Sequence, residues 1–145
     1  LILAGRKIND NMSGYVFLKL KNKLKEKKID SNNNKVLLMG ITFKEDCPDI
    51  RNSKSYDLYK HLIKSKFLVD VYDPNASPQD VKNHYNINLK NKLSINFYDA
   101  ILIAVPNKKF KKKGIKSIAK YAKKKRVIFD LKNLFNNHQL IDCTL

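Results

Sequence analysis

From Arg6 to about Lys28 the apolar residues Ile8, Met12, Tyr15, Val16, Leu20 and Leu24 recur every three or four positions among lysines. That spacing puts them on one face of an amphipathic helix of several turns. The cluster Asp30-Ser31-Asn32-Asn33-Asn34 then ends the period with turn-forming residues. Beyond Lys35 the pattern changes. Short apolar runs at residues 36–41, 68–72, 100–105 and 127–131 read as strands, and they alternate with helical stretches at residues 53–66 and 110–124. Ser77-Pro78-Gln79-Asp80 marks a further helix start, with Ser77 as N-cap, Pro78 at the first helical position and Asp80 as an early acid. Residues 83–97 alternate weakly and are rich in Asn, so they commit to neither period. Strands apolar on both faces and separated by helices predict a parallel sheet with right-handed crossovers. The expected fold is α/β and Rossmann-like, with flanking helices and a long N-terminal helix in front.

Composition narrows this picture. At 145 residues and 43% hydrophobic, the chain is long enough for one cored domain and has no room for two. Its longest apolar stretches are too short to cross a bilayer, and the N-terminus lacks the order of a signal peptide. A soluble, cytoplasmic protein is expected. Cys47 and Cys143 lie far apart in sequence and match no metal spacing or disulfide framework, which fits a reducing compartment. The first residue is Leu1 and the opening reads as a helix joined partway along, so a piece of a longer protein is expected.

The net charge of +17 points to anionic partners such as nucleic acid, a membrane surface or phosphate-bearing ligands. Lys supplies 27 of the 30 basic residues, with Arg only at Arg6, Arg51 and Arg126. Specific recognition of phosphate or bases leans on Arg as well. Asn and Ile are also abundant, as in proteins of AT-rich genomes, so a lysine-coated solvated surface is favoured over a dedicated nucleic-acid patch.

In an open parallel sheet, ligands bind beyond the carboxyl ends of the strands. The residues there are Thr42, Phe43 and Lys44 after the first expected strand, Asp73 and Pro74 after the second, Pro106 and Asn107 after the third, and Lys132 and Asn133 after the fourth. Two lysines and an aromatic ring on one rim suit a nucleotide diphosphate. The first loop has only Gly40 and lacks G-x-G-x-x-G, so side chains such as Lys44 and Arg51 must supply much of the charge for a phosphate. Arg51 precedes Asn52-Ser53, the expected N-cap of the next helix, whose free amides add partial positive charge. Each candidate also has a plain structural reading. Lys44 and Lys132 fit among the surface lysines, Arg51 fits as a partner of Asp46 or Asp49, Asp73-Pro74 as a strand-ending turn and Phe43 as core. Cys47 has neither a His nor a helix start beside it in sequence; His61, His84 and His138 share no metal spacing. No Ser-His-Asp or paired-carboxylate arrangement is legible, and no catalytic residue is assigned.

The stretch GITFKEDCPDIRNSK, residues 40–54, resembles the start of the C-terminal UDP-binding domain of the UDP-glucose/GDP-mannose dehydrogenase family. Four further segments agree in the same order: AGRKINDNM with the start of the family's central linking helix, VDVYDPNA with its second strand and Asp-Pro turn, YDAILIAVPNKKF with its third strand, and VIFDLKNLF with its last strand. The resemblance implies a division of the chain. Residues 1–30 would be part of a linking and dimerisation helix, and residues 35–145 a UDP-binding α/β domain, with the family's N-terminal NAD-binding domain and nucleophilic cysteine outside this sequence. It implies oxidation of the C6 hydroxyl of a nucleotide sugar to a carboxylate with NAD, in surface polysaccharide biosynthesis. Phe43, Lys44 and Lys132 would bind the UDP-sugar, although many members carry Arg at the place of Lys132, and Arg51 would reach toward NAD. Cys47-Pro48-Asp49 is more similar to the UDP-N-acetylhexosamine branch than to UDP-glucose members, with UDP-glucose and UDP-ManNAc enzymes as alternatives. No activity is expected of these residues alone. The rival from another class is a basic α/β module that binds nucleic acid. It ranks behind because only Phe110 and Tyr121 lie near the lysine runs as stacking rings.

Overall fold

The computed structural model describes residues 12–29, 33–42, 48–51 and 53–145. In chain order these form helix α1 (Met12–Glu26), strand β1 (Lys35–Met39), α2 (Lys54–Lys64), β2 (Leu68–Tyr72), α3 (Pro78–Tyr85), β3 (Tyr98–Ile103), the short helices α4 (Lys108–Lys113) and α5 (Ile115–Ala119), β4 (Ala122–Asp130) and β5 (Cys143–Thr144). The strands make one sheet in the order β2-β1-β3-β4-β5, with every neighbouring pair parallel. The Rossmann-like α/β expectation holds. The N-terminal helix is present over 15 described residues, and its expected start at Arg6 lies outside the described residues.

Strand alternation sorts the core into two layers. Val36, Leu38, Ala100, Leu102, Val127 and Phe129 pack against Val16, Leu20 and Leu24 of α1 and Leu58 and Leu62 of α2. Leu37, Met39, Ile101, Ile103 and Ile128 face the other way, onto Phe110 of α4 and Ile115 and Ile118 of α5. The period of two along each strand, crossed with opposite-facing helices, produces this division. The connection from β1 leads to β2 on one side, whereas that from β3 leads to β4 on the other. The order therefore reverses between β1 and β3, and the crevice at their carboxyl ends is where such sheets take ligands.

The local start signals act as read. Ser53 Oγ accepts from the Tyr56 amide at 3.2 Å to cap α2. Ser77 Oγ accepts from the Asp80 amide at 3.3 Å, with Pro78 opening α3. Residues 83–97 divide between the end of α3 and irregular chain, and the Lys90 amide donates to Val71 O at 2.8 Å along the open side of β2.

Two expected elements are corrected. The helix predicted for residues 110–124 is two short helices, because Gly114 at φ 87° and ψ 148° turns the backbone out of helical geometry between them. The strand predicted from Val127 begins at Ala122, which pairs with Tyr98. The register shifts between Tyr98 and Ala100, and Lys123 Nζ meets Asp99 Oδ1 at 3.1 Å across that irregularity. Lys123 to Lys125 are thus strand residues at the amino end of the sheet and not the end of a helix.

Candidate functional site

Gly40 leaves β1 at φ 103°, and a β-carbon built on it would lie 2.7 Å from Val105 Cβ, just past the end of β3. The chain crosses the β1/β3 crevice at a separation that only glycine permits. The next two residues are fixed from β2. Asp73, 5% exposed, accepts at Oδ2 from the backbone N–H of Ile41 at 2.8 Å and of Thr42 at 3.2 Å, and at Oδ1 from Asn75 at 2.8 Å. A buried carboxylate is tolerated because amide donors satisfy it.

The returning limb of the same loop is held from α3. The Tyr85 hydroxyl donates to the Ile50 carbonyl, the Ser53 amide reaches that hydroxyl at 3.5 Å, and the Tyr85 ring stacks on Tyr56 with centroids 4.0 Å apart. Burial pushes the Tyr85 hydroxyl above the ordinary tyrosine pKa. Arg51 lies between these contacts, exposed, with Nε 3.1 Å from Asp49 Oδ1 and Nη2 3.0 Å from Asp49 Oδ2. That fork holds the Asp49 carboxyl below its usual value. Of the two acidic partners weighed for Arg51, Asp49 is the one seen; Asp46, like Phe43, Lys44 and Cys47, lies outside the described residues.

Lys132 is presented by a different device. Asp130, fully buried at the end of β4, accepts from the Leu134 amide at 3.0 Å and the Phe135 amide at 2.9 Å, and this turns the chain so that Lys132 is exposed. Lys132 borders a small cleft of about 150 Å³ with Ser13, Lys54, Ser55 and Ala104. Arg51 borders another of about 390 Å³, with Asp49, Asp80, Asn83 and His84. The two described cations of the three assigned from sequence therefore line separate clefts, with the capped start of α2 between them in sequence. Asn107, 1% exposed, caps α4 by accepting the Lys109 amide at 2.8 Å, so it serves the fold rather than the rim.

Sequence reading named Asp73 at the rim and missed two further contributors. Asp73 also looked like a plain turn residue because its amide partners are 31 and 32 positions away. Tyr85 carried no signal at all, being one aromatic in an Asn-rich stretch. Lys54 was findable, since it follows the Ser53 cap that the sequence marks. The histidines have separate local roles: His61 stacks on Phe17 at 5.8 Å, His84 meets the Tyr85 ring edge-on, and His138 Nδ1 accepts from the Leu140 amide at 3.1 Å. Among the described residues no group of three or more His, Cys, Asp or Glu side chains is arranged to hold a metal. No helix among them is long and apolar enough to cross a membrane.

The comparisons with known proteins fall on this same unit. The family model for the UDP-glucose/GDP-mannose dehydrogenase family, UDP binding domain, matches residues 37–137. The chain is 40% identical over 136 residues to a UDP-N-acetyl-D-glucosamine 6-dehydrogenase of Pseudomonas aeruginosa, covering 94% of this chain and 32% of the relative. It is 41% identical over 132 residues to the enzyme of that name from Salmonella typhi, covering 91% and 31%. The native structure of the UDP-N-acetyl-mannosamine dehydrogenase Cap5O from Staphylococcus aureus superposes with a TM-score of 0.70 at 29% identity, over 90% of this chain and 29% of that one. The chain thus spans about a third of the length of the curated relatives it matches.

Proposed function

The chain belongs to the UDP-glucose/GDP-mannose dehydrogenase family, and on that premise we propose that its α/β unit is the nucleotide-sugar-binding part of an NAD-dependent UDP-N-acetylhexosamine 6-dehydrogenase. The observation that carries this reading is the β1–α2 loop, which leaves the sheet at the point where strand order reverses and is held on both limbs by Asp73 and Tyr85. Higher identity to two UDP-N-acetyl-D-glucosamine enzymes than to the mannosamine ones favours that substrate, with UDP-ManNAc and UDP-glucose as the alternatives. The parent enzyme is read as cytoplasmic and as serving surface polysaccharide biosynthesis.

In this reading Phe43 and Lys44 hold the nucleotide end of the substrate, by stacking and by charge, and Lys132 adds a second cation at the rim. Lys neutralises a phosphate without the two-pronged geometry of Arg, so its contribution is less directional. The side chains here do not build a dinucleotide cradle of their own. The first loop has no glycine-rich turn, and Asp73, at the second-strand position that holds a ribose in such cradles, is taken up by loop amides. NAD would supply the hydride acceptor from its own domain, and this chain's part is Arg51, whose guanidinium is exposed at the edge of the loop. These residues alone oxidise no sugar. Burial pushes the Cys143 thiol up to about 11, which leaves it a poor nucleophile at neutral pH. Tyr15 and Leu18 of α1 are 56% and 60% exposed, and Leu18 borders a groove of about 710 Å³ whose lining mixes Leu24 and Phe67 with Lys21, Lys25 and Lys28. The two exposed apolar side chains support a homodimer through α1, and a monomeric mass at high concentration would count against it.

The test is an NMR titration with UDP at physiological salt, with GDP and a short DNA duplex as comparators and Lys44→Ala as control. Saturable shifts for UDP, weaker ones for GDP and loss in the variant are expected. Salt-dependent binding of DNA, with UDP acting as any anion, would instead favour the basic nucleic-acid module.

A further inference from the structure

Asp73 is a buried acid of the rim that no ligand role uses. In a dinucleotide-binding sheet an acid beyond the second strand accepts a ribose hydroxyl. Here both carboxylate oxygens face backbone N–H groups, at 2.8 Å and 3.2 Å for Ile41 and Thr42 and 2.8 Å for Asn75. The residue is 5% exposed, and its carboxylate is engaged by these amides. The Gly40 amide donates to Tyr72 O at 2.9 Å, which carries the β1–β2 ladder one step beyond the strands, and the carboxylate takes over from that point. Three consecutive amides, of Gly40, Ile41 and Thr42, are thereby tied to the end of β2, and Phe43 and Lys44 follow in sequence.

We propose that Asp73 is a positioning residue for nucleotide binding: it fixes the backbone at Ile41 and Thr42, the last described residues before Phe43 and Lys44, to which the reading above gives the nucleotide. The proposal rests on the nucleotide-sugar reading above. Charged acceptors make the strongest hydrogen bonds to backbone amides. Amides of Ile41 and Thr42 that are already held in the free protein add no ordering cost when a nucleotide binds.

The experiment is a UDP titration of the 145-residue chain, as wild type, Asp73→Asn, Lys44→Ala and the double variant. Asn brings an NH2 group against at least one of the three amides, while its size is unchanged. Asp73→Asn is expected to raise the UDP Kd at least tenfold with the amide spectrum otherwise retained, and to shrink the effect of Lys44→Ala to less than twofold. A variant that melts at lower temperature but keeps the wild-type Kd and the full Lys44 effect has lost a structural acid only, and that overturns the proposal. Hydrogen exchange on the wild type does not depend on the variant folding. The Ile41 and Thr42 amides should be protected before UDP is added and unchanged after it. Protection that arises only with UDP would show that the ligand orders the loop and would refute placement by Asp73. If the wild type gives no saturable UDP shifts, the nucleotide reading itself fails and this proposal with it. UDP binding with an unaffected Asp73→Asn variant removes the placement alone.

Discussion

Replacing Gly40 with Ala tests the close approach that shapes the β1/β3 crevice. The new Cβ would lie 2.7 Å from Val105 Cβ, 2.9 Å from its Cγ2 and 3.0 Å from its backbone nitrogen. Two of those three atoms cannot be moved by a rotamer change, so strands or loop must shift, at about 1–3 kcal/mol for overpacking. The backbone at φ 103° adds about 1–3 kcal/mol for a residue with a side chain. The sum, about 2–6 kcal/mol, is a large part of the about 5–15 kcal/mol that holds such a domain folded. Gly114 provides the control. It has φ 87°, and nothing lies within 4 Å of its added Cβ, so Gly114→Ala carries the conformational part alone. Urea unfolding followed by far-UV circular dichroism should show Gly40→Ala less stable than Gly114→Ala by about 1–3 kcal/mol, with unchanged m-value. Val105→Ala should not rescue it, because the Cβ and the backbone nitrogen remain. Equal losses in the two alanine variants, or full rescue by Val105→Ala, would refute the close-approach reasoning.

Asp49 should titrate below the ordinary carboxylate range by NMR, and Arg51→Ala should bring it back, since the guanidinium hydrogen bond is the largest cause of the shift. The sign follows from linkage: a lowered folded value favours the folded state above the unfolded pKa, and that contribution fades as pH falls through the folded value. The Cys143 thiol, raised by burial from 9.0 to about 11, should in a Cys47→Ser background react with iodoacetamide about 100-fold more slowly at pH 8 in the folded chain than in urea, from ionisation alone. Because the unfolded thiol ionises first, its contribution to stability falls between pH 9 and about 11 and not below that window. Equal labelling rates would refute its burial beside α1.

How much of this was legible depended on the distance over which each interaction acts. The four apolar runs, the Ser53 and Ser77 caps and Pro78 are governed by periodicity and by hydrogen bonds three residues long, so the sequence already held the parallel α/β sheet and its helix starts. The Arg51–Asp49 fork spans two positions and was likewise among the readings open from sequence. The family motif in residues 40–54 was visible because it is a contiguous string. The break at Gly114 was the local signal that the lysine-rich periodicity masked.

What the string did not hold is the frame around that loop. Asp73 and Tyr85 act on amides and a carbonyl more than thirty residues earlier, and neither residue type announces such a partner. The parting of Arg51 and Lys132 into separate clefts, and the addition of β5 beside β4, likewise exist only once the strands have taken their order. Local sequence marked most of the strands and helices and the loop that the family motif occupies. Tertiary packing decided where the loop is anchored, because a buried carboxylate or hydroxyl bonds to whichever unpaired backbone group the fold brings to it.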